Sequence, residues 1–182
     1  MKLNKVFLLA PVALLSLASC AIINQRYPIE DYFIEYTQAK NHKEIDGTGR
    51  FNILQLSDIH MSVMDNAKIH YQFMQKTIDE AKAIVNDKLH LIVITGDVFT
   101  FANKDTVKEL CNFFESQNTP WTLTFGNHDE QGYFSIDWLT GYLTSLSKKE
   151  DSNLLFKDMP NDDVFGSANF AINLPDNHRQ II

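Results

Sequence analysis

Leu91-Ile92-Val93-Ile94-Thr95-Gly96-Asp97 is the stretch whose reading decides the fold. This unbroken Ile/Val run, bounded by turn residues, reads as a strand over 89–95 buried on both faces, the habit of a parallel sheet covered on both sides. The glycine lets the chain turn sharply where the strand ends, and an aspartate follows at once. Two other runs share this design. Phe51-Asn52-Ile53-Leu54-Gln55-Leu56 leads into Ser57-Asp58-Ile59-His60, and Trp121-Thr122-Leu123-Thr124-Phe125 leads into Gly126-Asn127-His128-Asp129-Glu130. Ligands of open α/β sheets sit beyond the carboxyl ends of the strands. Three strand ends carrying Asp, His, Asp and Asn therefore predict one metal site assembled from distant parts of the chain.

The segments between these runs have helical spacing. Met74, Ile78, Ala81 and Val85 predict a helix over 67–85, and Val107, Leu110, Cys111 and Phe114 predict another over 104–116. Ile136, Leu139, Leu143 and Leu146 predict a third over 135–147. Strands alternating with helices give βαβ units with right-handed crossovers, so the fold class is α/β with a parallel sheet. Residues 148–163 are charged and polar and read as a long loop, and Phe170, Ile172 and Leu174 alternate as in a fourth strand over 169–174. Residues 20–50 read as a tether and lead-in, with the domain proper over 51–182. Tyr32-Phe33-Ile34 is aromatic enough to pack as an edge strand, but its neighbours do not say where.

The first residues read as a targeting segment. Lys2 and Lys5 form a positive start, and Val6–Leu17 is apolar but too short to span a bilayer. Leu17-Ala18-Ser19-Cys20 resembles the bacterial lipobox, which implies a signal peptide over 1–19 and lipidation at Cys20. Buried acyl chains would then hold the protein on the outer face of the bacterial cell membrane. The competing reading is a plain secretory signal with Cys20 incidental. Cys111 remains as a single thiol on an apolar helix face, and so is expected to pack as a small hydrophobe. The 182 residues are 45% hydrophobic and 21% charged, ordinary for a globular domain, and carry a formal charge of −7. That acidity argues against specific nucleic-acid binding through a basic patch. A phosphorylated substrate remains compatible with it, because bound cations dominate the local field of a metal site.

Each cluster taken alone has a plain alternative. Asp58-x-His60 offers an oxygen and an imidazole, a set suited to Mn, Fe or Zn, although Asp-x-His also arises by chance. In an extended segment the two side chains point the same way. Asp97 could bridge two cations or could cap a turn. Asn127 is a neutral ligand, and His128 can act as a general acid or an oxyanion donor. Asp129 can hydrogen-bond an imidazole and set its tautomer. Without a metal, Asn127-His128-Asp129 would be a turn and nothing more.

In order, the clusters resemble the signature of the calcineurin-like metallophosphoesterases, Asp-x-His, then Gly-Asp, then Gly-Asn-His-Asp/Glu. Pro120-Trp121 and Gly166 with Asn169-Phe170-Ala171-Ile172 resemble the branch related to purple acid phosphatases. The resemblance implies a layered sheet fold and a two-metal phosphoesterase. Asp58 and His60 would hold one ion, Asp97 would bridge, and Asn127 would hold the second. A metal-activated hydroxide would cleave a phosphate monoester or diester. His128 would act on the leaving group, and Asp129 would orient His128.

Two departures qualify this. The purple acid enzymes place a tyrosine ligand three residues after the Gly-Asp aspartate, where this chain has Thr100, so iron is not preferred over manganese or zinc. The family also completes its site with later histidines, including a Gly-His-x-His. Here only His178 follows His128. The domain is therefore expected to be incomplete at its C-terminal side. Two readings stay open: a surface-anchored phosphoesterase represented by its N-terminal part, and an inert surface lipoprotein that keeps a remnant of the fold. A nuclease or cyclic-nucleotide phosphodiesterase of the same family fits the residues equally.

Overall fold

In the computed structural model a strand at Leu91–Thr95 lies between two neighbours, and both of its faces are covered. Residues 32–45, 49–64, 66–158, 167–175 and 180–181 are described. The signal segment, Cys20 and the tether as far as residue 31 lie outside the described residues, as do Gly166 and His178. The chain divides into Met1–Tyr32 and Phe33–Ile182, and the second unit holds every element described below.

The elements in order are β1 (Phe33–Glu35), β2 (Ile53–Leu56), α1 (Ala67–Ile84), β3 (Leu91–Thr95), α2 (Lys104–Glu115), β4 (Trp121–Thr124), α3 (Ile136–Ser147), β5 (Ala171–Asn173) and β6 (Gln180–Ile181). Strands β2, β3 and β4 form a parallel sheet in that order. Ile53 pairs with Leu91 and Leu56 with Ile94, while Ile92 pairs with Trp121 and Thr95 with Thr124. A second sheet has the order β1-β5-β6, with β1 parallel and β6 antiparallel to β5.

Alternation along β3 explains the layers. Ile92 and Ile94 join a core with Met74 and Ile78 of α1, Val107, Leu110 and Phe114 of α2, and Leu139 and Leu143 of α3. Leu91 joins a second core with Ile34, Tyr36, Leu155, Ile172 and Leu174, and Val93 packs against it. One face of β3 thus meets helices and the other meets the second sheet. A strand with two apolar faces needs an unbroken hydrophobic run, which is what its sequence supplies. The helices start at side-chain caps: Asn103 accepts from Asp105 N and Thr106 N, and Ser135 accepts from Trp138 N. Cys111 is buried, and burial pushes its thiol up.

The helices fall where their spacing predicts, and the strands are shorter by one to three residues. Two stretches differ more. The sequence places the start of the domain at residue 51, whereas the structure carries the fold back to Phe33. Tyr36 is fully buried; its hydroxyl donates to His90 O at 3.0 Å and accepts from Lys43 N at 3.0 Å. The signal is weak because β1 is three residues long and its partner, β5, lies more than 130 positions away. The predicted loop over 148–163 also contains structure. Residues 152–156 are buried beside β4, where Trp121 N donates to Asn153 O and Leu155 N to Trp121 O. The Glu115 carboxylate anchors them by accepting from Ser152 Oγ, Asn153 N and Leu154 N, as well as from Trp121 Nε1. Among the described residues no helix is long and apolar enough to cross a membrane.

Tyr36→Phe removes two hydrogen bonds that tie the lead-in to the sheet. It is expected to lower stability by about 1–3 kcal/mol in urea unfolding followed by tryptophan fluorescence. A change within measurement error would show that residues 33–45 are not part of the cooperative unit.

Candidate metal centre

Strands β2, β3 and β4 run parallel and in register, so their carboxyl ends emerge side by side. The segments beyond them stay laced together. Gly96 N donates to Thr124 O, Asp58 N to Gly96 O, His60 N to Asp97 O at 2.9 Å, and Met61 N to Val98 O at 2.8 Å. The lacing bends the backbone. Asp58, His60 and Asp97 have φ of 55°, 51° and 51°, in the left-handed region that costs a non-glycine residue about 1–2 kcal/mol. The sequence-based expectation of an extended Asp58-x-His60 segment is therefore corrected. The two side chains converge through left-handed turns, because their amides pair with the segment after β3.

The result is one cluster. Asp58, His60 and Asp97 each offer a ligand atom, and these atoms lie within 4.8 Å of one another. His60 Nε2 is 3.9 Å from Asp58 Oδ1, and its Nδ1 is 2.6 Å from Thr100 Oγ1. Ser57 Oγ donates to Asp58 Oδ2. Two carboxylates and an imidazole with its Nδ1 already engaged suit a divalent first-row ion.

The turn after β4 closes against this cluster. His128 N donates to Asp97 Oδ1 at 2.9 Å, and the rings of His60 and His128 meet edge to face at 5.0 Å. Asn127 is exposed at the same strand end. Close approach depends on Gly126, where a Cβ would stand 2.2 Å from Asp97 Oδ1 and 2.5 Å from Asp97 N. Beside Gly126 a cavity of ≈ 350 Å³ is lined by Phe125, Glu130, Ser167 and Asn169 among others.

Asp129 does something other than what its sequence position suggests. It is fully buried, with Oδ1 accepting from Phe99 N at 2.8 Å and Oδ2 from Gly126 N at 2.7 Å. Burial raises its pKa, the backbone N–H donors pull it back, and the nearby Asp97 adds to the rise. Its carboxylate thus fastens the turn after β3 to the turn after β4. The partner of His128 Nδ1 is Gln131 Oε1 at 2.9 Å. A short 3-10 turn over Asp129–Gln131 brings Gln131 back to His128, and no sequence motif marks it. Thr100 likewise enters the site as the partner of His60, visible in the sequence only as the absence of a tyrosine. His90 lies at the other end of β3, buried and stacked on Phe51 with Nδ1 accepting from Asn52 N, so it stands apart from the cluster.

Comparison with known proteins agrees with this arrangement. The profile of the calcineurin-like phosphoesterases matches residues 51–179. A probable inactive purple acid phosphatase of Arabidopsis thaliana is 30% identical over 111 residues, covering 54% of this chain and 28% of its own. A probable cyclic nucleotide phosphodiesterase of Moraxella catarrhalis is 33% identical over 79 residues, covering 43% of this chain and 27% of its own. The phosphatase DCR2 of Saccharomyces cerevisiae is 26% identical over 165 residues, covering 78% of this chain and 26% of its own. The chain thus spans about a quarter of the length of these relatives. No solved structure matches it.

Gly126→Ala sets a methyl group against the backbone and carboxylate of Asp97. It is expected to cost about 1–3 kcal/mol of stability and to weaken Mn2+ binding measured by calorimetry. Unchanged affinity and stability would mean that the approach of the two strand ends does not shape the site.

Proposed function

The chain belongs to the calcineurin-like phosphoesterase family, and from that premise we propose that it hydrolyses phosphate monoesters or diesters with two divalent metal ions. The observation that carries this reading is the convergence of Asp58, His60 and Asp97 at adjacent strand ends, with ligand atoms within 4.8 Å of one another. In this reading Asp58 and His60 hold one ion, Asp97 is shared, and Asn127 serves the second; manganese, zinc or iron suits the donors. Bound ions of this kind supply positive charge for the phosphoryl oxygens and lower the pKa of water. The chain's own contribution is positioning and proton transfer. His128 stands beside His60 with its Nδ1 on Gln131. Gln131 Oε1 accepts from Nδ1–H, so Nε2 donates a proton to the departing alkoxide or a hydrogen bond to the phosphoryl group when the ring is an imidazolium, with both nitrogens protonated. Asp129 supports His128 indirectly, by holding the turn on which it sits. The cavity beside Gly126 gives the rest of a substrate a place to lie.

The proposal extends to place and partner. The lipobox resemblance at Cys20 favours a protein anchored by lipid to the outer face of a bacterial cell membrane, acting on phosphorylated compounds there. Its net acidic charge argues against nucleic acid as a partner.

Two experiments check this. Purified protein supplied with Mn2+ or Zn2+ is expected to release aryl alcohol from an aryl phosphate or a bis-aryl phosphate, and to stop when the metal is chelated. Asp97→Asn is expected to abolish turnover, and His128→Ala to lower it roughly 10²–10⁴-fold. Undiminished turnover in both variants would overturn the assigned site. Cys20→Ser is expected to stop incorporation of labelled acyl chains and to move the protein from membrane to soluble fractions. A protein that stays acylated and sedimenting would sink the anchor.

A further inference from the structure

Thr100 is held in place by the backbone around it. Its N–H donates to Met61 O at 3.0 Å, Met61 N donates to Val98 O at 2.8 Å, and Met61 and Phe99 form a parallel bridge. Phe99 N in turn donates to the buried Asp129 carboxylate. Met61 and Phe99 are themselves fully buried or nearly so. A hydroxyl fixed in this way lies 2.6 Å from His60 Nδ1. His60 needs such a brace. It sits at a φ of 51°, and its ring is partly exposed, with the His128 ring edge to face against it at 5.0 Å.

The hydrogen bond has two possible senses. If the hydroxyl donates, the proton of the neutral ring sits on Nε2, which points toward Asp58 Oδ1 at 3.9 Å. Nε2 then cannot be a ligand. If the hydroxyl accepts, Nδ1 carries the proton and Nε2 presents its lone pair to the space between Asp58 and Asp97. We infer that Thr100 is a positioning residue that accepts from His60 Nδ1–H and holds Nε2 ready as a ligand before any ion arrives. Partners of this kind raise metal affinity by fixing tautomer and ring orientation. The inference rests on the reading of Asp58, His60 and Asp97 as ligands, and its test separates the two.

The first measurement needs neither a variant nor a metal. Two-dimensional 1H–15N spectra of the metal-free full chain report which ring nitrogen of the neutral His60 imidazole is protonated. Protonation at Nδ1 is expected, and protonation at Nε2 overturns the inference. The second measurement is Mn2+ affinity by calorimetry. Thr100→Val keeps the shape and loses the hydroxyl, and is expected to bind at least tenfold more weakly and to populate the Nε2–H form of His60. Thr100→Ser restores the hydroxyl and is expected to recover both. A Thr100→Val protein with wild-type affinity and tautomer overturns the inference. Failure of the wild-type chain to bind Mn2+ or Zn2+ would refute the ligand reading instead, while the tautomer would still decide the role of Thr100.

Discussion

A carboxylate without water around it must find hydrogen-bond donors, and Asp129 finds two of them on different parts of the chain. Phe99 N and Gly126 N both donate to it, at 2.8 and 2.7 Å. Hydrogen bonds to a charged acceptor in a low dielectric are stronger than neutral ones, and leaving the acceptor without them costs several kcal/mol. The turn after β3 and the turn after β4 are therefore fixed relative to each other. The first carries Asp97 and Thr100, and the second carries Asn127 and His128. Gly126 permits the closeness that the carboxylate enforces, since a Cβ there would overlap Asp97.

The site also stores strain. Asp58, His60 and Asp97 all sit in the left-handed region, together about several kcal/mol of unfavourable backbone. Each is over-determined by its surroundings: Asp58 N and His60 N pair with the segment after β3, and Asp97 Oδ1 receives His128 N. Such strain persists only where neighbouring structure compels it, and here the compelling structure is the in-register sheet beneath. β3 is buried on one side by helices and on the other by the second sheet, so it cannot shift to relieve the turns.

Much of this was legible in the residues. The unbroken run at 91–95 marked a strand because burial on both faces demands continuity, the stretch at 121–125 was marked by the turn residues that bound it, and the three helices declared themselves through one-sided spacing. The candidate donors could be read because each cluster closes a strand, and the structure brings Asp58, His60 and Asp97 of them together. Other parts were illegible for a common reason. Tyr36 looked like lead-in because its bonding partner His90 lies 54 positions away. Leu154-Leu155-Phe156 passed for part of a charged loop because its burial depends on the free side of β4 and on Glu115, which is 38 positions from Asn153. Asp129 looked like a partner for His128, since sequence adjacency says nothing about which backbone amides will surround a buried carboxylate.

The sequence by itself determined the parallel α/β frame and the inventory of donors at its strand ends, because both follow from local periodicity and from the chemistry of single side chains. Only the tertiary structure decided how those donors meet. It put Asp58 and His60 into left-handed turns, set Thr100 against Nδ1 of one histidine and Gln131 against Nδ1 of the other, and turned Asp129 inward as a clasp. Apart from the local contact of Gln131 with His128, these outcomes depend on pairing between segments 30 or more residues apart, where the energy of one contact is set by the placement of all the others.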